Sequence, residues 1–130
     1  MLGDYTPAAT LAVKDLAAAT AFYDKTLGLT RRMEFEGGVF YNAGDGAVFV
    51  YQSEFAGTNK ATSVTFGVPS EKFDQEVNAL RTAGVTFETF EGPGMEWNDG
   101  VATMQEDMGR AVWFKDPDGN FLNVNEMPTS

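Results

Sequence analysis

The chain has neither cysteine nor histidine in its 130 residues. Without thiols there is no disulfide, no thiolate nucleophile and no thiolate metal site, although a cysteine-free chain says little about its compartment. Without imidazole there is no histidine acid–base catalysis, no Ser–His triad and no histidine-containing facial triad for iron. Basic residues are scarce as well: 9 Lys and Arg stand against 19 Asp and Glu, a formal net charge of -10. That balance repels nucleic-acid phosphates and anionic membrane surfaces, so neither is expected as a partner, while cations are favoured. Long apolar runs are missing too, since none approaches the roughly 18 residues of a membrane span. The start, Met1-Leu-Gly-Asp-Tyr5, lacks the basic and apolar regions of a signal peptide, and a cytoplasmic location is expected.

What is present is enough for a core. The chain is 43% hydrophobic, with 11 Phe, 4 Tyr and 2 Trp, and its length suits a single globular domain. It reads as one pattern written twice. Thr10-Leu-Ala-Val13 and Val64-Thr-Phe-Gly-Val68 are apolar strands ending in Val; each leads through a helical stretch to a Gly, Gly28 or Gly84. The spacing from Val to Gly is 15 residues in the first half and 16 in the second. Each half closes with a turn and a strand, Ala43 to Tyr51 and Asp116 to Val124. A repeat of this size is a statement about fold.

Within the first half, Asp15 is placed to cap a helix whose Leu16, Ala19, Phe22, Tyr23 and Leu27 fall on one stripe, and Gly28 stops it. Strands are predicted over 30–35, 39–42 and 47–52, separated by turns at Gly37-Gly38 and Gly44-Asp45-Gly46. Residues 53–61 read as the linker. In the second half Ser70 is expected to cap a helix carrying Phe73, Val77 and Leu80 inward, and a strand follows over 86–90. The stretch from Glu91 to Gly109, with four glycines, Trp97, Met95, Met104 and Met108, is too long for a plain hairpin connection and is expected to form a lid or pocket wall. No Lys or Arg lies between Arg81 and Arg110, whereas Glu88, Glu91, Glu96, Asp99, Glu106 and Asp107 do; an acidic pocket rim or a solvated loop accounts for this equally.

Leu11-Ala-Val-Lys-Asp-Leu16, Phe22-Tyr23, Leu27-Gly28-Leu29 and Phe114-Lys-Asp-Pro-Asp-Gly-Asn-Phe121 carry a resemblance over nearly the whole chain. In them the sequence resembles the vicinal oxygen chelate superfamily of glyoxalases, bleomycin resistance proteins, fosfomycin resistance proteins and extradiol dioxygenases. The resemblance implies an α+β fold of two tandem β-α-β-β-β modules, about residues 5–56 and 60–128. Each would form a half-open curved sheet around a cavity. It implies fold far more strongly than function.

Metal sites in that family lie on the first and last strands of each module. Counting back five residues from Val13 and Val68 reaches Ala8 and Ser63; counting on four from Gly46 and Gly119 reaches Val50 and Asn123, with Phe49 as the alternative if the strand slips by one. None of these supplies an imidazole nitrogen or a carboxylate oxygen. The expectation is a member without metal or other cofactor, although a site built from loop carboxylates such as Glu96, Asp99, Glu106 and Asp107 is an alternative.

Such metal-free members include bleomycin resistance proteins, which the resemblance presents as small, acidic dimers binding a cationic, flat aromatic drug. The tail from Met108 to Asn120 is similar to theirs. The same face that carries Ala8, Ser63, Val50 and Asn123 is expected to carry Phe121, and with it Trp97, Met104 and Trp113 are candidate ligand contacts; Trp113 equally suits a core position. By this parity Phe49 and Tyr51 pack under a helix. Glu34, Glu36 and Glu126 are candidate general bases without a visible partner, and Asp116-Pro-Asp-Gly119 is a structural turn. Three readings stand: a small-molecule binding protein sequestering a cationic or aromatic compound, a metal-dependent lyase with unusual oxygen ligands, and a degenerate module acting through a protein partner. Homodimerisation is expected in each.

Overall fold

Turns, caps and alternation divide the described residues into ten strands and two α-helices. The computed structural model describes residues 1–91, 94–104 and 109–127. They fall into two units: Met1–Ser63 with Asp116–Asn120, and Val64–Lys115 with Phe121–Ser130.

In the first unit a single 3₁₀ turn, Leu2–Asp4, precedes β1 (Ala8–Val13). Helix α1 (Leu16–Ala21) begins where predicted, because the Asp15 carboxylate accepts hydrogen bonds from the backbone N–H of Ala17 at 3.0 Å and Ala18 at 3.3 Å. It then widens into a π-helical turn over Phe22–Thr26, closed by the Leu27 N–H on the Phe22 carbonyl, before Gly28 at φ 71° ends it. Strands β2 (Thr30–Phe35), β3 (Gly38–Ala43) and β4 (Gly46–Gln52) follow. The sheet runs β1-β4-β3-β2, with β1 parallel to β4 and the other pairs antiparallel.

Register decides what each face carries. Tyr41 opposes Val48, Val39 opposes Val50 and Leu11 opposes Val50, and all of these are buried. Tyr23 is buried with them, its ring 5.9 Å from that of Tyr41, so this is the helix-covered face. Phe40 and Phe49 oppose each other on the other face, where Tyr51 also lies. The expectation that Phe49 and Tyr51 pack under a helix is therefore wrong. Counting four residues on from Gly46 misled it: the count reaches Val50, buried on the helix side opposite Val39, one residue past Phe49 on the open face. That offset of one residue reverses parity, because strand side chains alternate.

The Asp116-Pro-Asp-Gly-Asn120 turn belongs to this unit and does more than reverse the chain. The Asp116 carboxylate accepts from the N–H of Asp118 and Asn120, both at 2.9 Å, and from the Asn120 amide and the Tyr23 hydroxyl, both at 2.8 Å. Asn120 also donates to the Ala12 carbonyl, and Asp118 accepts from the Lys14 N–H, each at 2.9 Å. Burial, reinforced by the Asp116 charge, pushes the Tyr23 hydroxyl far above its ordinary pKa, so it stays a donor.

In the second unit β5 (Thr62–Pro69) leads into α2 (Ser70–Thr82), whose Phe73 and Val77 are buried. Pro69, not Ser70, occupies the cap position; the Ser70 hydroxyl donates instead to the Met127 carbonyl at 3.2 Å. Beyond Gly84 the strand expected over 86–90 shrinks to β6 (Phe87–Glu88). The predicted lid contains a hairpin, β7 (Met95–Asn98) and β8 (Val101–Met104). Its turn residues, Asp99 and Gly100, both have positive φ, the signature of an Asp-Gly hairpin turn. Strands β9 (Arg110–Lys115) and β10 (Phe121–Met127) complete a sheet ordered β5-β10-β9-β8-β7, with β6 also on β9. Both sheets are open, as an α+β fold of two such modules requires.

Candidate ligand-binding face

Pairing in the second unit sorts its side chains cleanly. Leu122 opposes Phe114 and Val124 opposes Val112, all buried. Arg110 continues this face, with its guanidinium 4.7 Å from the Phe73 ring centroid of α2, so it is the helix side. The opposite face carries Asn123 against Trp113 and Phe121 against Lys115. It extends through Ala111 and Ala102 to Trp97, and Met95 pairs with Met104 in the same alternation. Five of the eight candidate contacts, Trp97, Trp113, Met104, Phe121 and Asn123, thus share one face.

That face holds an aromatic cluster. Trp97 and Trp113 lie 6.1 Å apart at 54°, and Phe90 meets them edge-on at 5.4 and 4.9 Å. Phe90 is 43% exposed and both indoles are half-buried. The indoles flank a floor of Ala102 and Ala111, neither of which exposes any surface. Beside it, at the open end of the hairpin, a depression of about 250 Å³ is lined by Gly94, Met95, Glu96, Thr103 and Met104. Lys115 lies over the Phe121 ring at 5.1 Å and is held by Glu88 at 3.1 Å. Phe90 and Lys115 were not singled out from the sequence, and Glu88 was read only as one of six acids between Arg81 and Arg110. An aromatic between Thr89 and Glu91-Gly92 gives no period, so only the fold brings Phe90 to the indoles.

Other candidates behave differently. Asn123 is buried and its amide donates to the Val112 carbonyl at 3.1 Å, so that donor is already engaged. Trp97 stands on a strand instead of a loop. In the first unit Val50 exposes no surface and faces the helix side, which removes it as a ligand contact; Ala8 opposes Ala47 on the open side. Ser63 accepts a hydrogen bond from the Asn59 amide at 3.1 Å.

Two of the three candidate bases, Glu126 and Glu34, are paired. Glu126 accepts from the Arg110 backbone N–H and from its guanidinium, at 3.1 Å and at 3.3 and 3.0 Å, and these bonds hold its carboxyl below the usual range. Glu34 is ion-paired with Arg31. Glu106 and Asp107, two of the proposed loop ligands, and Met108 of the tail lie outside the described residues.

Comparison with known proteins bears on fold and family. A fosfomycin resistance protein, FosX, from Listeria monocytogenes, in complex with Mn(II) and sulfate, superposes with a TM-score of 0.70 at 17% identity over 94% of this chain and 89% of that one. FosX from Mesorhizobium loti gives 0.66 at 16% identity, over 95% and 92% of the two chains. An integron cassette protein from the mobile metagenome of the Halifax Harbour sewage outfall gives 0.66 at 20%, over 95% and 98%. No curated protein sequence matches the chain.

The Mn(II) of the first of these finds no ready counterpart here. There is no His or Cys anywhere in the chain, and among the described residues no three carboxylates come together as a metal site would need. The donors among the described residues do not fit such an ion. Residues 6–124 match the family model of the Glyoxalase/Bleomycin resistance protein/Dioxygenase superfamily, and with two open sheets of the matching architecture the chain belongs to that superfamily.

Proposed function

We propose that this protein is a metal-free small-molecule binding member of its superfamily, sequestering a planar aromatic cation on the open face of the second sheet. The observation that carries the reading is the Phe90–Trp97–Trp113 cluster beside a small-residue floor. Indole and phenyl faces attract a cation by their quadrupole and stack on a flat ring. Glu91 and Glu96, without a cation partner among the described residues, add attraction in a chain of net charge -10. The FosX neighbours are fosfomycin resistance proteins; at identities below 20% they support the fold, and the donors among the described residues do not support a metal-centred reaction. The protein works as a cytoplasmic homodimer on this reading, and light scattering that returned a monomer would count against the dimer.

The test is calorimetric titration with N-methylquinolinium, followed in parallel by tryptophan fluorescence, with Mn(II) as a separate arm. Both tryptophans of the chain stand in the cluster, so bound quinolinium is expected to quench most of the emission. At about 100 times its dissociation constant it adds about 2.7 kcal/mol of stability, a rise of several degrees in Tm. Trp97→Phe should weaken binding. A Tm raised by Mn(II) and untouched by quinolinium would instead restore the metal-dependent reading.

A further inference from the structure

Methionine packs as an apolar side chain but carries a donor atom, the polarisable thioether sulfur, and the β7–β8 hairpin sets two of them opposite each other. Met95 pairs with Met104 across the strands, which places their Cβ atoms about 4.5–5.5 Å apart. Both are half-buried, and both line the depression of about 250 Å³ at the open end of the hairpin, together with Gly94, Glu96 and Thr103. Two metal–sulfur bonds of about 2.3 Å each span a similar distance, and the unbranched, rotatable side chains let both sulfurs turn toward one ion.

The backbone under the pair is fixed at both ends of the hairpin. At the tip the Asp99 carboxylate is held by the Arg81 guanidinium at 3.2 Å, and at the base the Met104 N–H donates to the Gly109 carbonyl at 3.0 Å. Donors on a fixed frame lose less freedom when they bind.

The donor set selects the ion. Hard divalent cations such as Ca²⁺ take about six to eight oxygen ligands, whereas the side chains lining this depression offer one carboxylate, Glu96, and one hydroxyl, Thr103. Thioethers select soft ions such as Cu(I). Glu96 has no cation partner among the described residues, so its carboxylate is available to balance a single positive charge. The chain has no softer donor to compete, because it contains neither Cys nor His.

We infer that Met95 and Met104 form a binding site for a soft monovalent cation of the Cu(I) and Ag(I) class, with Glu96 as the balancing charge. This ion differs in kind from the Mn(II) of the FosX complex. The site goes beyond the aromatic-cation reading and does not rest on it, since quinolinium needs the rings and this ion needs the sulfurs.

The probe is Ag(I), which keeps its oxidation state in air, titrated calorimetrically as the nitrate into the full chain in chloride-free buffer. One equivalent is expected to bind. Affinity should fall about tenfold in Met95→Leu and in Met104→Leu, because each removes one of the two soft donors. Leu conserves the volume, so both variants keep the fold, and thermal melts check this. Met127→Leu is the control: the Met127 sulfur lies against Gly67 in β5, 3.0 Å from where a Cβ would stand, and β5 is at the opposite edge of the sheet from β7. Binding should be unchanged there. Trp97 is two residues from Met95 in β7, about 7 Å along the strand, so bound silver should also quench part of the tryptophan emission. Binding no tighter than that of N-acetylmethionine amide overturns the site. Binding unchanged in both hairpin variants, or weakened equally in Met127→Leu, overturns its location, and weakening in only one of the two overturns the paired sulfurs. Displacement of silver by an equal concentration of Mn(II) overturns the selection for a soft ion.

Discussion

Tyr23 and Asp116 are joined by a buried 2.8 Å hydrogen bond across 93 residues of sequence. It ties the π-helical turn after α1 to the final turn of the chain. Removing the hydroxyl in Tyr23→Phe leaves a buried carboxylate oxygen with one donor fewer, at a cost of about 1–3 kcal/mol. The effect depends on pH in a defined direction. Burial raises the folded-state pKa of Tyr23, so above pH 10 or so the unfolded chain loses this proton while the folded chain keeps it. The native state then binds more protons, and stability falls as pH rises, by about 1.4 kcal/mol per unit for this one group. Below that range the contribution is fully present. Denaturant melts from pH 7 to 11 should show a shallower alkaline decline in Tyr23→Phe than in the wild type; an equal decline would mean that the hydroxyl ionises freely in the fold.

Glu126 gives the mirror case at low pH. Its carboxyl is held down first by the side-chain hydrogen bonds of Arg110, which also reaches Asp74 at 2.9 Å. A depressed folded-state pKa contributes stability above the ordinary carboxylate range, lost as pH falls through the folded value. Glu126→Gln is expected to cost about 2 kcal/mol at pH 7 and progressively less as the solution is acidified. A cost that stays constant down to the acid transition would assign the effect to shape instead of charge.

The duplication was readable because its signals are local. Asp15 as a cap, Gly28 and Gly84 as stops and the apolar stripe from Leu16 to Leu27 each act within a few residues; the cap and the stops behave as read, and of the stripe Ala19 and Tyr23 are fully buried while Leu16, Phe22 and Leu27 are half-buried. Facing was lost in the first unit for an equally local reason: the count of four from Gly46 overshoots by one residue, from Phe49 to Val50, and a one-residue slip inverts every side chain. It held in the second, where Asn123, Phe121 and Trp113 do share the open face. Phe90 joining the indoles, Glu88 holding Lys115 and Tyr23 reaching Asp116 depend on pairings between distant segments, which no window of sequence contains. The β7–β8 hairpin was within reach, since Asn98-Asp99-Gly100 is a turn signal that the surrounding glycines concealed.

Gly38 links backbone to the aromatic row of the first unit. A Cβ at this position meets Phe49 Cε1 at 2.8 Å and the Val50 carbonyl at 3.3 Å, and the ring cannot yield freely because it is stacked on Phe40 and Tyr51. Gly38→Ala is expected to destabilise by about 1–3 kcal/mol through overpacking and to change the near-ultraviolet circular dichroism of the row. A variant as stable as the parent, with an unchanged spectrum, would show that the stack can slide.

The two indoles supply a test of the second face that needs no ligand. Trp97 and Trp113 lie 6.1 Å apart and are inclined at 54°, close enough for their transition dipoles to couple and neither parallel nor perpendicular, so the coupling does not cancel. Because these are the only tryptophans of the chain, an exciton couplet in the far-ultraviolet circular dichroism must come from this pair. Trp97→Phe and Trp113→Phe should each abolish the couplet completely, whereas two independent chromophores would each remove about half of the band. Their costs in stability should differ. Trp113 is on a central strand between β10 and β6, so its truncation to Phe opens space that neighbours cannot fill, at about 1–2 kcal/mol. Trp97 is on the outer strand β7, where relaxation is easier and the cost smaller. A couplet that survives either substitution, or equal costs for both, would place the indoles farther apart than the paired strands require.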